Sequence, residues 1–296
     1  MIAVVDWVER VCRVRQWRQD GRRAPHKPLL LLYALGHFQR EGDAPIRFRD
    51  AEEQLQLLLT EFGPPRRSTM AYPFFHLRTD GLWQVTGARI EPSAAALRDG
   101  DAAGRLASDL VRALRDDSTL VVRLARAILE TNFESSLHPD ICQVAGLRLD
   151  PAGEVAPLPV PMPARDPEFR ERVLIAYEYR CAFCGFDGAL GRSPVGLEAA
   201  HVRWWSEGGP DETANGLALC SLHHKLLDLG VLGIGADLTV AVSDRFVGRS
   251  RMARAIVHDL SGQAVLRPQR GHPPVRADHI AWHAREVFKG RTRPAA

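Results

Sequence analysis

The sequence lacks any apolar run approaching the ~20 residues of a membrane-spanning helix, although 45% of its residues are hydrophobic. It also lacks a secretory leader: the opening MIAVVDWVERVCRVRQW places acids early and scatters its arginines. A leader would set positive charge first and then an unbroken apolar core. These absences predict a cytoplasmic chain with no membrane partner. Cysteine is scarce and odd in number, at positions 12, 142, 181, 184 and 220, which argues against a disulfide framework. No internal repeat is visible. Net charge is small, +3 at pH 7, so no single-sign field covers the molecule.

The charge that is present is uneven. Residues 1–49 carry ten Lys/Arg against five Asp/Glu, and residues 245–296 carry eleven against three. Basic ends around a more acidic middle suit contact with a polyanion at two places. With 296 residues, two domains are expected. The boundary is DPAGEVAPLPVPMPARDP: prolines at 151, 157, 159, 161, 163 and 167 deny it helix or central strand, so it reads as a semi-rigid linker. The expected division is 1–149, a linker over 150–165, and 166–296.

In the first domain the pattern predicts helices over 3–18, 50–62, 93–99, 103–115 and 119–132. LLLLYALGHF reads as a buried helix, with Pro28 at its first position. YPFFHL and GLWQV around RTDG read as a hairpin. In the second domain, Asp166 and Pro167 open a helix whose face holds Phe169, Val173, Leu174 and Tyr177. VGLEAAHV reads as a strand, SEGGPDETANG as a loop, and LALCSLHHKLLDLG as a helix ended by Gly230.

Two ligand pairs stand out, Cys181-x-x-Cys184 and Cys220-x-x-His223, separated by 35 residues. Zinc takes four such ligands in a tetrahedron, and a two-residue spacer lets each pair grip one ion. A closed set of this kind is structural and would hold together a small unit with a thin core. Between and beside these pairs lie His201, Asn215 and His224. Residues in this order resemble an HNH endonuclease centre, whose phosphodiester hydrolysis needs a base for water and a cation to neutralise developing charge. Imidazole titrates near neutrality, which suits His201 as the base. His224 and Asp228 are four apart on one helix and share a face, where they could hold Mg²⁺ or Mn²⁺.

The set CAFCGF, LEAAHVRWW, GGPDETANGL and HHKLLD resembles the HNH endonuclease family over about residues 176–234. The resemblance implies a ββα-metal fold and metal-dependent cleavage leaving a 5′-phosphate and a 3′-hydroxyl. It further implies that Asn215 fixes the loop and orients the catalytic histidine or binds the metal, and that His224 is a catalytic-metal ligand. Many members carry Asp or His just before the base; here that residue is Ala200, and Glu198 on the same strand is the candidate replacement.

APHKPLLLLYAL and YPFFHLRTDGLW resemble the sulfur-binding domain of restriction enzymes that attack phosphorothioated DNA. That resemblance covers about residues 1–149. It implies an apolar cavity from Tyr72 and Pro73 with His76 close by, and donors from His26 and Lys27. Arg98 would reach a base edge, and Arg22, Arg23, Arg66 and Arg67 would hold neighbouring phosphates. The combined expectation is an α+β protein of two domains: a mainly helical DNA reader with a small sheet, and a zinc-stapled ββα-metal nuclease acting on phosphorothioated duplex DNA. Cutting both strands with one centre per chain requires a homodimer or two successive nicks. Two other readings stay open: an HNH nuclease directed at methylated or unmodified DNA, with the aromatic residues caging a flipped base, and a non-catalytic zinc DNA-binding protein.

Overall fold

The computed structural model describes residues 6–16, 22–149 and 166–294; the expected linker over 150–165 lies outside the described residues. Contacts divide the chain into two compact units, Met1–Met162 and Pro163–Ala296. Among the described residues no helix is long and apolar enough to cross a membrane.

The first unit runs α1 (Trp7–Cys12), α2 (His26–Glu41), β1 (Ile46–Arg47), α3 (Phe48–Phe62), α4 (Ala71–His76), β2 (Trp83–Thr86), α5 (Ala94–Asp99), β3 (Ala103–Leu106), α6 (Ser108–Asp116), α7 (Leu120–Asn132) and α8 (His138–Ala145). Helix α2 is its axis. Leu29, Leu30, Leu31, Leu32 and Leu35 are all buried, as a helix apolar on every side must be, and α7, α8 and α3 pack around it. The antiparallel sheet has the order β1-β3-β2.

Four expectations for this unit are corrected. The described part of the first helix covers only Trp7–Cys12, not 3–18. Helix α2 starts at His26, so Pro28 is its third residue and not its first. The YPFFHL–GLWQV hairpin does not form. YPFFH is helical in α4, and Trp83–Thr86 pairs with Ala103–Leu106 instead. Aromatic residues favour strands only where they find a pleated surface to pack on. Here Phe74 is wedged edge-on between Phe48 and Trp83, with centroids 5.1 and 5.4 Å away, and its carbonyl accepts the Trp83 indole N–H at 3.0 Å. Pro73 lies in the first turn of α4, where its missing N–H costs nothing. Lastly, the predicted helix over 103–115 is strand β3 followed by α6; Gly104 and Leu106 point inward with period two.

The second unit runs α9 (Phe169–Ala176), β4 (Ala189–Leu190), β5 (Ser193–Pro194), β6 (Leu197–His201), β7 (Gly216–Cys220), α10 (Ser221–Asp228), β8 (Leu232–Ile234), β9 (Val240–Val242), α11 (Arg251–Ile256) and α12 (Ala277–Glu286). LALC belongs to β7, not to the helix that follows, which begins at Ser221. A short apolar run carries no periodicity that separates strand from helix; its pairing with β6, Leu197 opposite Cys220 and His201 opposite Gly216, decides the matter. The expected face of α9 (Phe169, Val173, Leu174, Tyr177) is buried as a block. It presses so closely on the hairpin that a Cβ at Gly216 would lie 2.4 Å from Val173 Cγ2. The result is a β6–β7–α10 unit, two strands and a helix, with α9 packed on the strands.

Candidate functional site

In the second unit, Cys181 and Cys184 flank the turn after α9, Cys220 ends β7, and His223 occupies the first turn of α10. Their donor atoms all lie within 4.8 Å of one another. His223 presents Nδ1 to both Cys181 Sγ (3.4 Å) and Cys220 Sγ (3.3 Å), separations close to those between ligands of one tetrahedral ion with ~2.0–2.3 Å bonds. Its Nε2 donates to the Ile256 carbonyl at 2.7 Å. That bond fixes the tautomer with Nδ1 as the ligand, as second-sphere partners do in metal sites. Hydrogen bonds from the neighbouring thiols of Cys184 and Cys220 push the Cys181 thiol down, towards the thiolate a metal requires. The Cys3His cluster can hold a metal ion, and zinc suits its donor set.

His201 ends β6 and is buried, its ring stacked on Phe169 of α9 (centroids 4.3 Å, 13° between planes). Its Nε2 meets Asp211 Oδ1 at 2.7 Å. Asp211 is itself anchored. Its other oxygen accepts the Asp166 N–H at 2.7 Å, and its carbonyl accepts the Arg172 guanidinium, which also binds Asp166. The sequence reading passed over Asp211; the available signal was a carboxylate ten residues past the histidine, in the GGPDETANG loop. Asn215 is fully buried and ties that loop shut. Its amide donates to the Arg203 and Pro210 carbonyls, and its oxygen accepts the Arg203 N–H.

Glu198, His224 and Asp228 form a line. Glu198 Oε2 meets His224 Nδ1 at 2.6 Å, and Asp228 Oδ2 lies 3.3 Å from Nε2. The Ser221 hydroxyl donates to Glu198 Oε1 at 2.6 Å. The hydrogen bond from His224 holds the Glu198 carboxyl down at about 2. The two carboxylates thus face opposite edges of one imidazole. Glu198 is placed behind His224, not beside Asp228. Period two on β6 sets Glu198 and His201 on opposite faces of the hairpin.

In the first unit, α2 begins beside a cavity of about 480 Å³ whose wall is mostly apolar, lined by His26, Lys27, Tyr72 and Pro73 among others. Tyr72 is 59% exposed, and His76 packs against it one helical turn on, with centroids 4.1 Å apart. Burial, then the charge of Arg66, pushes His26 down to about 4, so it is a neutral imidazole at neutral pH. Lys27 is paired with Asp80 at 2.6 Å, both side chains largely buried. A lysine in the first turn of a helix faces the positive end of the helix dipole, and Asp80 offsets it. Asp80 also accepts the Arg15 N–H.

Two expected phosphate or base contacts, Arg23 and Arg98, are placed elsewhere. Arg23 is 1% exposed and donates to the Phe62 carbonyl, so its guanidinium cannot touch a phosphate at the surface; this corrects the expectation. Arg66 lines the cavity, and its guanidinium also reaches the Arg23 carbonyl. Arg98, on α5, grips both oxygens of Glu52 at 2.7 and 2.8 Å and lies outside the cavity lining. Arg22 and Arg67 are exposed.

Residues 5–150 match the family model of the ScoMcrA-like DNA sulfur-binding domain, and residues 181–235 match the HNH endonuclease model. Among solved structures, the sulfur binding domain of ScoMcrA complexed with phosphorothioated DNA is 22% identical, covering 49% of this chain and 97% of that one, with a TM-score of 0.41. The corresponding SprMcrA domain is 26% identical over 48% and 93%, also at 0.41. The type IV phosphorothioation-dependent restriction endonuclease ScoMcrA itself is 22% identical over 50% and 35%, at 0.40. No curated protein matches. The C-terminal match identifies an HNH DNA endonuclease domain, of a metal-dependent class. The chain thus joins a DNA sulfur-binding domain to an HNH endonuclease domain, an arrangement consistent with a modification-dependent restriction endonuclease.

Proposed function

We propose that the protein recognises a phosphorothioate in duplex DNA with the cavity of its first unit and hydrolyses a phosphodiester bond at the β6–β7–α10 centre of its second. The observation that carries the reading is the cavity itself: apolar wall from Tyr72 and Pro73, donors from His26 and Lys27. Sulfur is larger, softer and less strongly hydrated than oxygen, so it loses less on entering an apolar site. A neutral His26 and a Lys27 already compensated by Asp80 give that site hydrogen-bond donors, and Arg15 and Arg66 in the same wall supply charge for the phosphate group. Arg22 and Arg67, exposed nearby in sequence, supply charge to flanking phosphates.

For cutting, the chemistry is assigned to His201. A carboxylate only accepts, so Asp211 accepts from His201 Nε2 and orients the ring. The imidazole takes a proton from water as its oxygen attacks phosphorus and the bond to the 3′-oxygen breaks. Asp211 and the ring of Phe169 position the base, and Asn215 holds the loop that carries Asp211. A divalent cation such as Mg²⁺ or Mn²⁺, held by His224 Nε2 and Asp228 Oδ2, would neutralise charge on the phosphate and leaving oxygen. The 3.3 Å between those atoms suits neighbouring ligands of an ion with ~2.1 Å bonds. Glu198 orients His224 through Nδ1. Cys181, Cys184, Cys220 and His223 would hold zinc, which would tie the turn after α9 to the start of α10.

The deciding experiment is cleavage of one duplex oligonucleotide, with and without a single phosphorothioate, in Mg²⁺ or Mn²⁺. Cutting of the sulfur-bearing duplex alone supports both assignments. Equal cutting of both removes the sulfur reader and keeps the nuclease.

A further inference from the structure

The HNH match ends at residue 235, yet the second unit continues through an ordered, strongly basic segment. Residues 245–258, RFVGRSRMARAIVH, contain four arginines and no acid. Elsewhere in this unit Arg172, Arg180, Arg276 and Arg285 each pair with a carboxylate, while Arg192, Arg267 and Arg270 are exposed outside this four-arginine run. Arg245, Arg249, Arg251 and Arg254 are all exposed, and among the described residues none of their guanidinium groups has a hydrogen bond or ion pair. The preceding acid, Asp244, accepts the Arg291 N–H.

The backbone that carries these arginines is held firmly. Arg293 donates to the Phe246 carbonyl at 3.1 Å, His258 Nε2 to the Gly248 carbonyl at 3.0 Å, and the Ser250 hydroxyl accepts the Ala253 N–H at 3.0 Å. The segment ends at Ile256, whose carbonyl accepts His223 Nε2. That histidine precedes His224, so a single hydrogen bond ties α11 to the first turn of the helix that carries the proposed catalytic metal ligands. Val247 and Met252, 77% and 63% exposed, leave no apolar cover over the arginines.

We propose that residues 245–254 form a phosphate-contacting surface that holds duplex DNA beside the cutting centre, independent of sequence and of the mark. Four guanidinium groups without partners, on a braced segment, match the fork geometry of phosphate oxygens. Their contribution is affinity and register, not selection. The proposal rests on reading the second unit as the one that cuts, and its test uses unmarked DNA, so it stands or falls apart from sulfur recognition.

The test is fluorescence anisotropy of the full chain on unmarked and marked duplexes across a salt series, with R245Q/R249Q/R251Q/R254Q against the parent. Each phosphate contact contributes ~0.9 to the slope of log K against log salt. The quadruple variant is expected to lose about 3.6 from that slope on both duplexes, with the marked-to-unmarked ratio unchanged. Metal content and thermal unfolding check its fold. If it unfolds, R245Q/R249Q and R251Q/R254Q are each expected to remove about half of the loss. An unchanged slope in folded variants overturns the proposal and points to an acidic protein as the partner of this face. A loss confined to the marked duplex also overturns it.

Discussion

The two sites span similar lengths of chain but differ in which partners their charged residues find. Everything assigned to cutting falls between Asp166 and Asp228, and the metal cluster is two pairs from neighbouring turns. The first-unit cavity joins the start of α2 to α4, and its charge is set by an ion pair spanning 53 residues, Lys27 to Asp80. The difference teaches where motif reading holds. A short motif carries its own geometry, whereas a site built across a domain depends on which charges the fold has already paired. In the second unit the four metal-cluster residues meet one another, as do Glu198, His224 and Asp228. In the first, Lys27 and Arg98 meet carboxylates and Arg23 meets a backbone carbonyl.

The largest expected effect separates the units by their sources of stability. Chelation or Cys181→Ser removes a structural ion of the kind that contributes ~10 kcal/mol of apparent folding energy. The second unit should then unfold, followed by circular dichroism and metal content, while marked-DNA binding by the first unit persists. Joint loss of both would break the comparison. Next, His201→Ala should lower cutting of marked duplex by about 10²–10⁴-fold and leave binding within twofold. Cutting at the normal rate would remove His201 as the base. Asp211→Asn should give a smaller loss and shift the pH–rate profile, a change that a purely structural role would not produce.

A third effect is a pH dependence in the first unit. Folded His26 sits near 4, whereas an unfolded imidazole sits near 6.5, so the unfolded chain takes up a proton that the folded one refuses. Stability from this group is full above about pH 6.5, falls as pH drops, and levels off below about 4, by roughly 3 kcal/mol at most. Urea melts of the parent and His26→Gln at pH 7 and 4.5 should show the parent losing more; equal losses would remove the burial argument. Tyr72→Ala should reduce the affinity ratio of marked to unmarked duplex about tenfold, the equivalent of ~1.4 kcal/mol, with unmarked binding unchanged. The smallest effect sharpens the contrast. Asp80→Asn frees the Lys27 charge, so unmarked duplex should bind a few-fold tighter at low salt with a steeper salt slope. If unmarked binding weakens instead, Asp80 merely props the wall.

Much of the second unit was legible. Hydrophobic period three-four marked α9, and the ligand spacings marked the cluster. What escaped was β7, because five apolar residues carry no period of their own and only β6 opposite them makes a strand. Asp211 escaped for a related reason: its role exists only once Asn215 has closed the loop and brought it to His201. In the first unit the leucine run announced α2, but YPFFH was misread. Aromatic content favoured a strand, and the burial of Phe74 between Phe48 and Trp83, residues 26 and 9 positions away, favoured a helix.

The sequence by itself determined the chemistry on offer: a Cys3His metal set, a histidine and asparagine between its halves, a histidine and aspartate one turn apart, and an aromatic–proline segment beside a His-Lys pair. Those follow from residue type and local spacing, which the chain cannot alter. Only the tertiary structure decided which of them are electrically free. It gave His201 its Asp211, set Glu198 behind His224, neutralised Lys27 with Asp80 and buried Arg23, while leaving four arginines near α11 without partners. The physical reason is that charge pairing acts through space, over a few ångströms, between residues whose separation along the chain encodes nothing about their meeting.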